Sequence, residues 1–127
     1  MKIEHLAIWV KDLNKMKDFY VEHFGASSND LYYNPTKQFS SYFLTFDSGA
    51  RIELMHKPQI NSGTDSKENH GYAHFAFSLG SKESVDQMTE LLRSNGLIIN
   101  SEPRTTGDGY YESVIADPEG NLIELTV

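Results

Sequence analysis

Apolar and polar positions alternate along the chain in an order that occurs twice. Ile3 to Val10 is a β-branched, largely apolar run of strand length. Asp12 then offers an N-cap for a helix with Leu13, Met16, Tyr20 and Phe24 on one stripe, closed by Gly25. After a polar stretch, Ser41 to Phe46 predicts a strand, Asp47-Ser48-Gly49 a turn, and Arg51 to His56 another strand. The second half begins with a strand over Tyr72 to Leu79. Ser81 caps a helix with Val85, Met88 and Leu92 on its stripe, and Gly96 ends it. A short strand over Leu97 to Ile99 follows, then strands over Tyr111 to Ala116 and Leu122 to Val127. Asp117-Pro118-Glu119-Gly120-Asn121 supplies the turn between the last two. Each half therefore reads as strand, helix, then two or three strands. The first occupies residues 1–56 and the second 70–127, with a Ser-, Asn-, Gly- and Asp-rich linker over 57–69.

Strand parity sorts the polar residues of these runs, because successive side chains point to opposite faces. His5, Ala7 and Trp9 share one face of the first strand, and Leu6, Ile8 and Val10 the other. Arg51, Glu53 and Met55 oppose Ile52 and Leu54. In the second half His74, Ala76 and Ser78 oppose Phe75 and Phe77, and Glu124 opposes Ile123 and Leu125. One face of each strand is apolar enough to receive a helix; the other carries one His or one Glu. The histidines lie 74 − 5 = 69 residues apart and the glutamates 124 − 53 = 71. Any one of the four, taken alone, is more often a hydrogen-bonded or solvated residue than a ligand. Their shared local context and common period make a joint site the better account. Burying two imidazoles and two carboxylates without a cation costs several kcal/mol of desolvation, which a divalent ion offsets. His and Glu together suit Ni, Co, Fe, Mn or Zn more than Ca or Mg. Four protein ligands leave two positions of an octahedral ion open to a chelating substrate. The remaining histidines, His23, His56 and His70, read as structural or solvated. Tyr32, Tyr33, Tyr110 and Tyr111 are pocket candidates for which packing is the commoner role.

Composition narrows the chemistry further. The 127 residues suffice for one domain, and 39% hydrophobic with 12% aromatic content favours a folded globule. Zero cysteines exclude disulfides, thiolate metal sites and thiol nucleophiles, and fit a cytoplasmic location. Met1-Lys2-Ile3-Glu4 opens without an apolar run, so no signal peptide is expected. No apolar stretch has the roughly 18 residues of a membrane span. A net charge of −7 disfavours nucleic acid as a partner.

The two His-to-Glu half-sites, together with the Asp117–Asn121 turn and the following Leu122-Ile123-Glu124-Leu125, resemble the glyoxalase/bleomycin-resistance, or vicinal oxygen chelate, superfamily. The resemblance runs almost end to end. It implies an α+β fold of two tandem βαβββ modules forming a curved mixed sheet. The ligand order looks like that of bacterial glyoxalase I, which isomerises the hemithioacetal of methylglyoxal and a thiol to a thioester through an enediolate. It implies His5, Glu53, His74 and Glu124 as metal ligands, with Ni or Co favoured and Zn, Mn or Fe as alternatives. By the same analogy Glu124 is the proton-transferring base, with Glu53 as second choice, and the protein is a homodimer acting on a small molecule. Glutathione-using relatives carry an Arg four residues after the first His and an Asn four after the first Glu. Trp9 and Lys57 stand there in this chain, so a thiol other than glutathione is expected. Trp9, Arg51, Lys57, Arg104 and Tyr110 are the candidate substrate contacts, and Thr105 to Tyr110 a loop that could cover the site. Within the same superfamily, fosfomycin-resistance-type thiol transferases or hydrolases and extradiol dioxygenases use two His and one Glu. Non-catalytic binding proteins typically lose the ligands.

Overall fold

Asp12 and Ser81, both in extended conformation, start the two helices. The Asp12 carboxylate accepts from the Lys15 N–H at 3.0 Å and the Ser81 hydroxyl from the Ser84 N–H at 3.1 Å. Helix α1, Leu13–Phe24, ends where Gly25 takes φ 65° and returns its N–H to Tyr20 O. Helix α2, Lys82–Ser94, stops at Asn95, one residue before Gly96, whose φ of 82° turns the chain away. The computed structural model describes residues 4–60, 74–107 and 109–127. The chain divides into two compact units, Met1–Thr64 and Asp65–Val127. Most of the expected linker, and His70 with it, lies outside the described residues.

The first unit contains β1 (His5–Trp9), α1, β2 (Ser27–Ser28), β3 (Tyr32–Asn34), β4 (Phe39–Thr45) and β5 (Arg51–His56). Its sheet runs β1-β5-β4-β2, with β3 also on β4; β1 lies parallel to β5 and the other pairs are antiparallel. The second unit contains β6 (Phe75–Ser78), α2, β7 (Ile99–Thr105), β8 (Tyr111–Ala116) and β9 (Leu122–Thr126). Its sheet runs β6-β9-β8-β7, with β6 parallel to β9. Each module thus opens with a βα unit whose strand pairs with the module's last strand, and each carries its own mixed sheet.

Three details differ from the pattern-based expectation. Strands β2 and β3 fall in a stretch that reads as polar and turn-like, since two or three residues at a sheet edge need no apolar alternation. Strand β7 extends through Asn100, Ser101 and Pro103; it is an edge strand with register shifts, where proline and polar residues are tolerated. On α2, Thr89 rather than Met88 is fully buried, alongside Val85 and Leu92.

In the first unit α1 buries Leu13, Met16, Phe19 and Tyr20, and the sheet buries Tyr42, Leu44, Ile52 and Leu54. In the second, Val85, Thr89 and Leu92 of α2 accompany Ile115, Ile123 and Leu125. These sheet residues all have the helix-facing parity, so the opposite face of each sheet is left for chemistry. Asp117 is buried at the β8–β9 turn, where its carboxylate accepts from the N–H groups of Glu119 and Asn121 and from the Asn121 amide, at 2.8 to 2.9 Å. Among the described residues no helix is long and apolar enough to cross a membrane.

Candidate metal centre

Strand pairing decides which side chains meet. In the first unit Ala7 lies across from Glu53 and His5 across from Arg51, which puts His5, Arg51 and Glu53 on one face. Phe43 pairs with Glu53 from the other side, adding its ring to that face. His5 Nε2 lies 3.9 Å from Glu53 Oε2. In the second unit Ala76 lies across from Glu124, and His74 stands just ahead of β6 with the same parity. His74 Nε2 lies 3.3 Å from Glu124 Oε2. Each module therefore assembles one imidazole nitrogen and one carboxylate oxygen, as the repeat predicts.

The two pairs share an exposure pattern. The carboxylates are largely covered, at 15% and 18% side-chain exposure for Glu53 and Glu124, whereas His5 and His74 stand open at 41% and 48%. A covered carboxylate beside an open imidazole suits a metal half-site, with rigid oxygen donors and accessible nitrogen donors. Two donors, each about 2.1 Å from one ion, stand roughly 3.0 to 3.4 Å apart at octahedral or tetrahedral angles. The second pair already meets that spacing, and the first needs only a small side-chain rotation. Among the described residues no group of three or more His, Asp or Glu side chains gathers at one point; the donors come as a pair in each unit.

Around His5 the first unit adds a polar network. The His5 Nδ1 lies 2.6 Å from Glu4 Oε2, and Arg51 Nη2 lies 2.5 Å from the other Glu4 oxygen. The hydrogen bond from His5, supported by the hydrogen bond and charge of Arg51, holds the Glu4 carboxyl below the usual carboxylate range against a smaller opposing effect of burial. The Arg51 guanidinium stacks over Phe43 at 4.3 Å, and the Phe43 ring meets His5 edge-on at 5.5 Å. No sequence pattern marks Glu4 and Phe43 as part of this site. The β1–β5 register, which sets Arg51 beside His5, and the β4–β5 register, which sets Phe43 beside Glu53, make a group of them.

The other expected contacts separate cleanly. Trp9 and Lys57 lie together: the Lys57 ammonium is 5.8 Å from the Trp9 ring and 5.9 Å from Phe39, and Trp9 meets Phe39 edge-on at 6.2 Å. Arg104 pairs with Glu112 across β7 and β8, their side chains 3.8 Å apart, and also donates to the Ser101 hydroxyl. Tyr110 is exposed in a closed turn, where its N–H donates to the Thr106 hydroxyl and the Thr106 N–H to Tyr110 O. Tyr111 has the opposite parity and faces α2, donating to Asp86 at 2.7 Å beneath Lys82. The remaining described histidines are structural. His56 lies 2.9 Å from Val10 O through its Nδ1, and His23 is half-buried against Phe19 rather than solvated.

Comparison with known proteins agrees with this architecture. The sequence profile of the Glyoxalase/Bleomycin resistance protein/Dioxygenase superfamily matches residues 2–125. The chain belongs to this superfamily. Its relatives within it have different activities. The fosfomycin resistance protein FosX of Listeria monocytogenes is 35% identical over 128 residues, covering 97% of this chain and 86% of FosX. A lactoylglutathione lyase of Arabidopsis thaliana is 30% identical over 128 residues, covering 95% of this chain. The chain spans only 42% of that plant enzyme. A glyoxalase family protein from Enterococcus faecalis shares the fold with a TM-score of 0.82 at 24% identity, over 99% of this chain and 97% of its own.

Proposed function

We propose that this superfamily member is a divalent-metal-dependent isomerase of the glyoxalase I type. It converts the hemithioacetal of a 2-oxoaldehyde and a thiol to a 2-hydroxyacyl thioester. The observation that carries this reading is the doubled donor pair, His5 with Glu53 and His74 with Glu124. Two modules each offering one nitrogen and one oxygen supply four protein ligands, a set that suits Ni, Co, Fe, Mn or Zn, and the resemblance to bacterial glyoxalase I favours Ni or Co among them. The resemblance to glyoxalase I adds a homodimeric assembly to this reading.

When bound, the ion supplies Lewis-acid stabilisation of the negative charge that develops on two vicinal substrate oxygens. The protein's own work is proton movement. Glu124 takes the proton from the carbon bearing sulfur and returns it to the neighbouring carbonyl carbon, while the hydroxyl proton passes between the two oxygens. No atom is gained or lost. Glu53, similarly covered in the other half-site, is the second candidate for this role. On the module-one face, Trp9 and Lys57 offer the substrate's thiol tail an aromatic surface and one ammonium. Arg51, Arg104 and Tyr110 complete the candidate contacts, although Arg51 and Arg104 already face Glu4 and Glu112. That arrangement supports a thiol other than glutathione.

A second reading rests on FosX, which matches this chain over most of both lengths. In a thiol transferase or hydrolase of that type two His and one Glu suffice, leaving Glu53 surplus. The deciding assay supplies the metal-loaded protein with methylglyoxal hemithioacetals of several thiols and, separately, with fosfomycin. Thioester formation that Glu53→Gln impairs supports the isomerase. Opening of fosfomycin by both the wild type and Glu53→Gln, with no thioester from any thiol, contradicts it.

A further inference from the structure

We propose that Glu4, held in place by Arg51, is a positioning residue that presents His5 Nε2 for metal binding. The inference rests on the metal reading above and extends it to a residue that does not itself ligate. A strand histidine has two ring nitrogens, and only an unprotonated one can bind a cation. Glu4 Oε2 lies 2.6 Å from His5 Nδ1, so the Nδ1–H donates to the carboxylate and the lone pair falls on Nε2. Nε2 is the atom that faces Glu53.

The carboxylate is itself fixed. Arg51 Nη2 holds its second oxygen, and the Arg51 backbone N–H donates to Glu4 O at 3.0 Å. The guanidinium lies flat over Phe43, whose edge meets the His5 ring. Glu4, His5, Arg51 and Phe43, drawn from β1 and the residue before it, β5 and β4, thus close a ring of contacts around one imidazole. Among the described residues the Arg51 Nε is buried without a hydrogen-bond partner, so the guanidinium serves this geometry rather than its own full satisfaction.

Among the described residues module two lacks the device. The residue before His74 is Ala73, the residue two before Glu124 is Leu122, and the residue paired with Glu124 on the neighbouring strand is Val114. Three of the four contributors are replaced by aliphatic residues. The clamp is therefore a property of one half-site and not of the repeat. Because Glu4 and Arg51 are partly exposed, their ion pair adds little to folding, and the effect belongs to His5.

The test compares wild type with Glu4→Ala and Glu4→Gln, using Ni(II) titration by calorimetry and the visible spectrum of the Co(II) form. Nitrogen-15 NMR of the metal-free histidines and metal-free thermal midpoints accompany it. Glu4→Ala is expected to weaken Ni(II) binding about 10- to 100-fold and to alter the Co(II) spectrum. It should also shift His5 away from the Nδ1–H tautomer, with the metal-free midpoint unchanged. Glu4→Gln, which keeps an acceptor, should recover part of the affinity. Wild-type binding with Glu4→Ala within about twofold of it and an unchanged spectrum overturns the clamp alone. A wild-type protein that takes up no Ni(II) or Co(II) overturns the metal reading and this inference together.

Discussion

The two modules share a scaffold and differ in how they fill it. Tyr20, eight residues after the Asp12 cap, corresponds to Thr89, eight after the Ser81 cap. Tyr42, paired with Leu54, corresponds to Ser113, paired with Leu125. Module one thus joins helix to sheet with two buried aromatic side chains. Module two does so with two small buried hydroxyls, 2.7 Å apart, the Thr89 hydroxyl also donating to Val85 O. The half-sites differ in the same way: His5 is clamped by Glu4 and Arg51, while the sequence has Ala73 and Leu122 at the matching positions and His74 has no equivalent clamp among the described residues. What the modules keep in common is the His–Glu pair on one face and an apolar opposite face. The duplicated unit keeps its His–Glu pair and lets the packing and the surroundings of the histidine diverge.

The largest effect that can break this comparison concerns the two glutamates. If Glu124 is the base, Glu124→Gln lowers kcat by about 10²- to 10⁴-fold in the metal-loaded enzyme. Glu53→Gln then costs less in kcat and acts chiefly through metal affinity. Equal losses of kcat from the two would erase the assigned asymmetry.

Next in size are the cores. Tyr20→Ala removes a fully buried ring and is expected to cost about 3–5 kcal/mol in denaturant unfolding. Thr89→Val, at the matching position, strands the Ser113 hydroxyl and should cost about 1–3 kcal/mol. Adding Ser113→Ala to Thr89→Val should recover most of that loss, because no buried donor is then left unpaired. A double variant no more stable than Thr89→Val would show that the hydroxyl pair is not what holds α2 to β8.

The smallest expected effect separates the cations. Lys57 lies over Trp9 and Phe39 with no carboxylate in salt-bridge range among the described residues, whereas Arg104 already faces Glu112. Lys57→Ala should raise KM for an anionic thiol substrate by up to about fivefold, leaving kcat unchanged, and Arg104→Ala should raise it less. Trp9 is the sole tryptophan, so its emission reports occupancy of the Lys57 side directly. Substrate binding that leaves Trp9 emission unaltered would remove both residues from the contact surface.

Much of this organisation was legible in the chain itself. Caps at Asp12 and Ser81 and the parity of β1, β5, β6 and β9 announced the helices and the faces that carry the His–Glu pairs, because those runs bury one side and expose the other. Strands β2, β3 and most of β7 were not legible, since short or bulged edge strands carry polar residues and leave no periodic trace. Thr89 was passed over because a threonine on a helix reads as polar until Ser113 is seen opposite it. Glu4 was passed over because its role depends on a register that sets residue 51 beside residue 5.

The claim on which the rest depends is that His5, Glu53, His74 and Glu124 serve a single ion. Calorimetric titration of metal-free protein with Ni(II) tests it, run on wild type, His5→Ala and His74→Ala. One ion bound per chain in the wild type, with binding lost or weakened at least about 100-fold in both variants, is the predicted result. Two ions per chain, or one retained at full affinity in either variant, would mean that the modules act separately and would contradict the account.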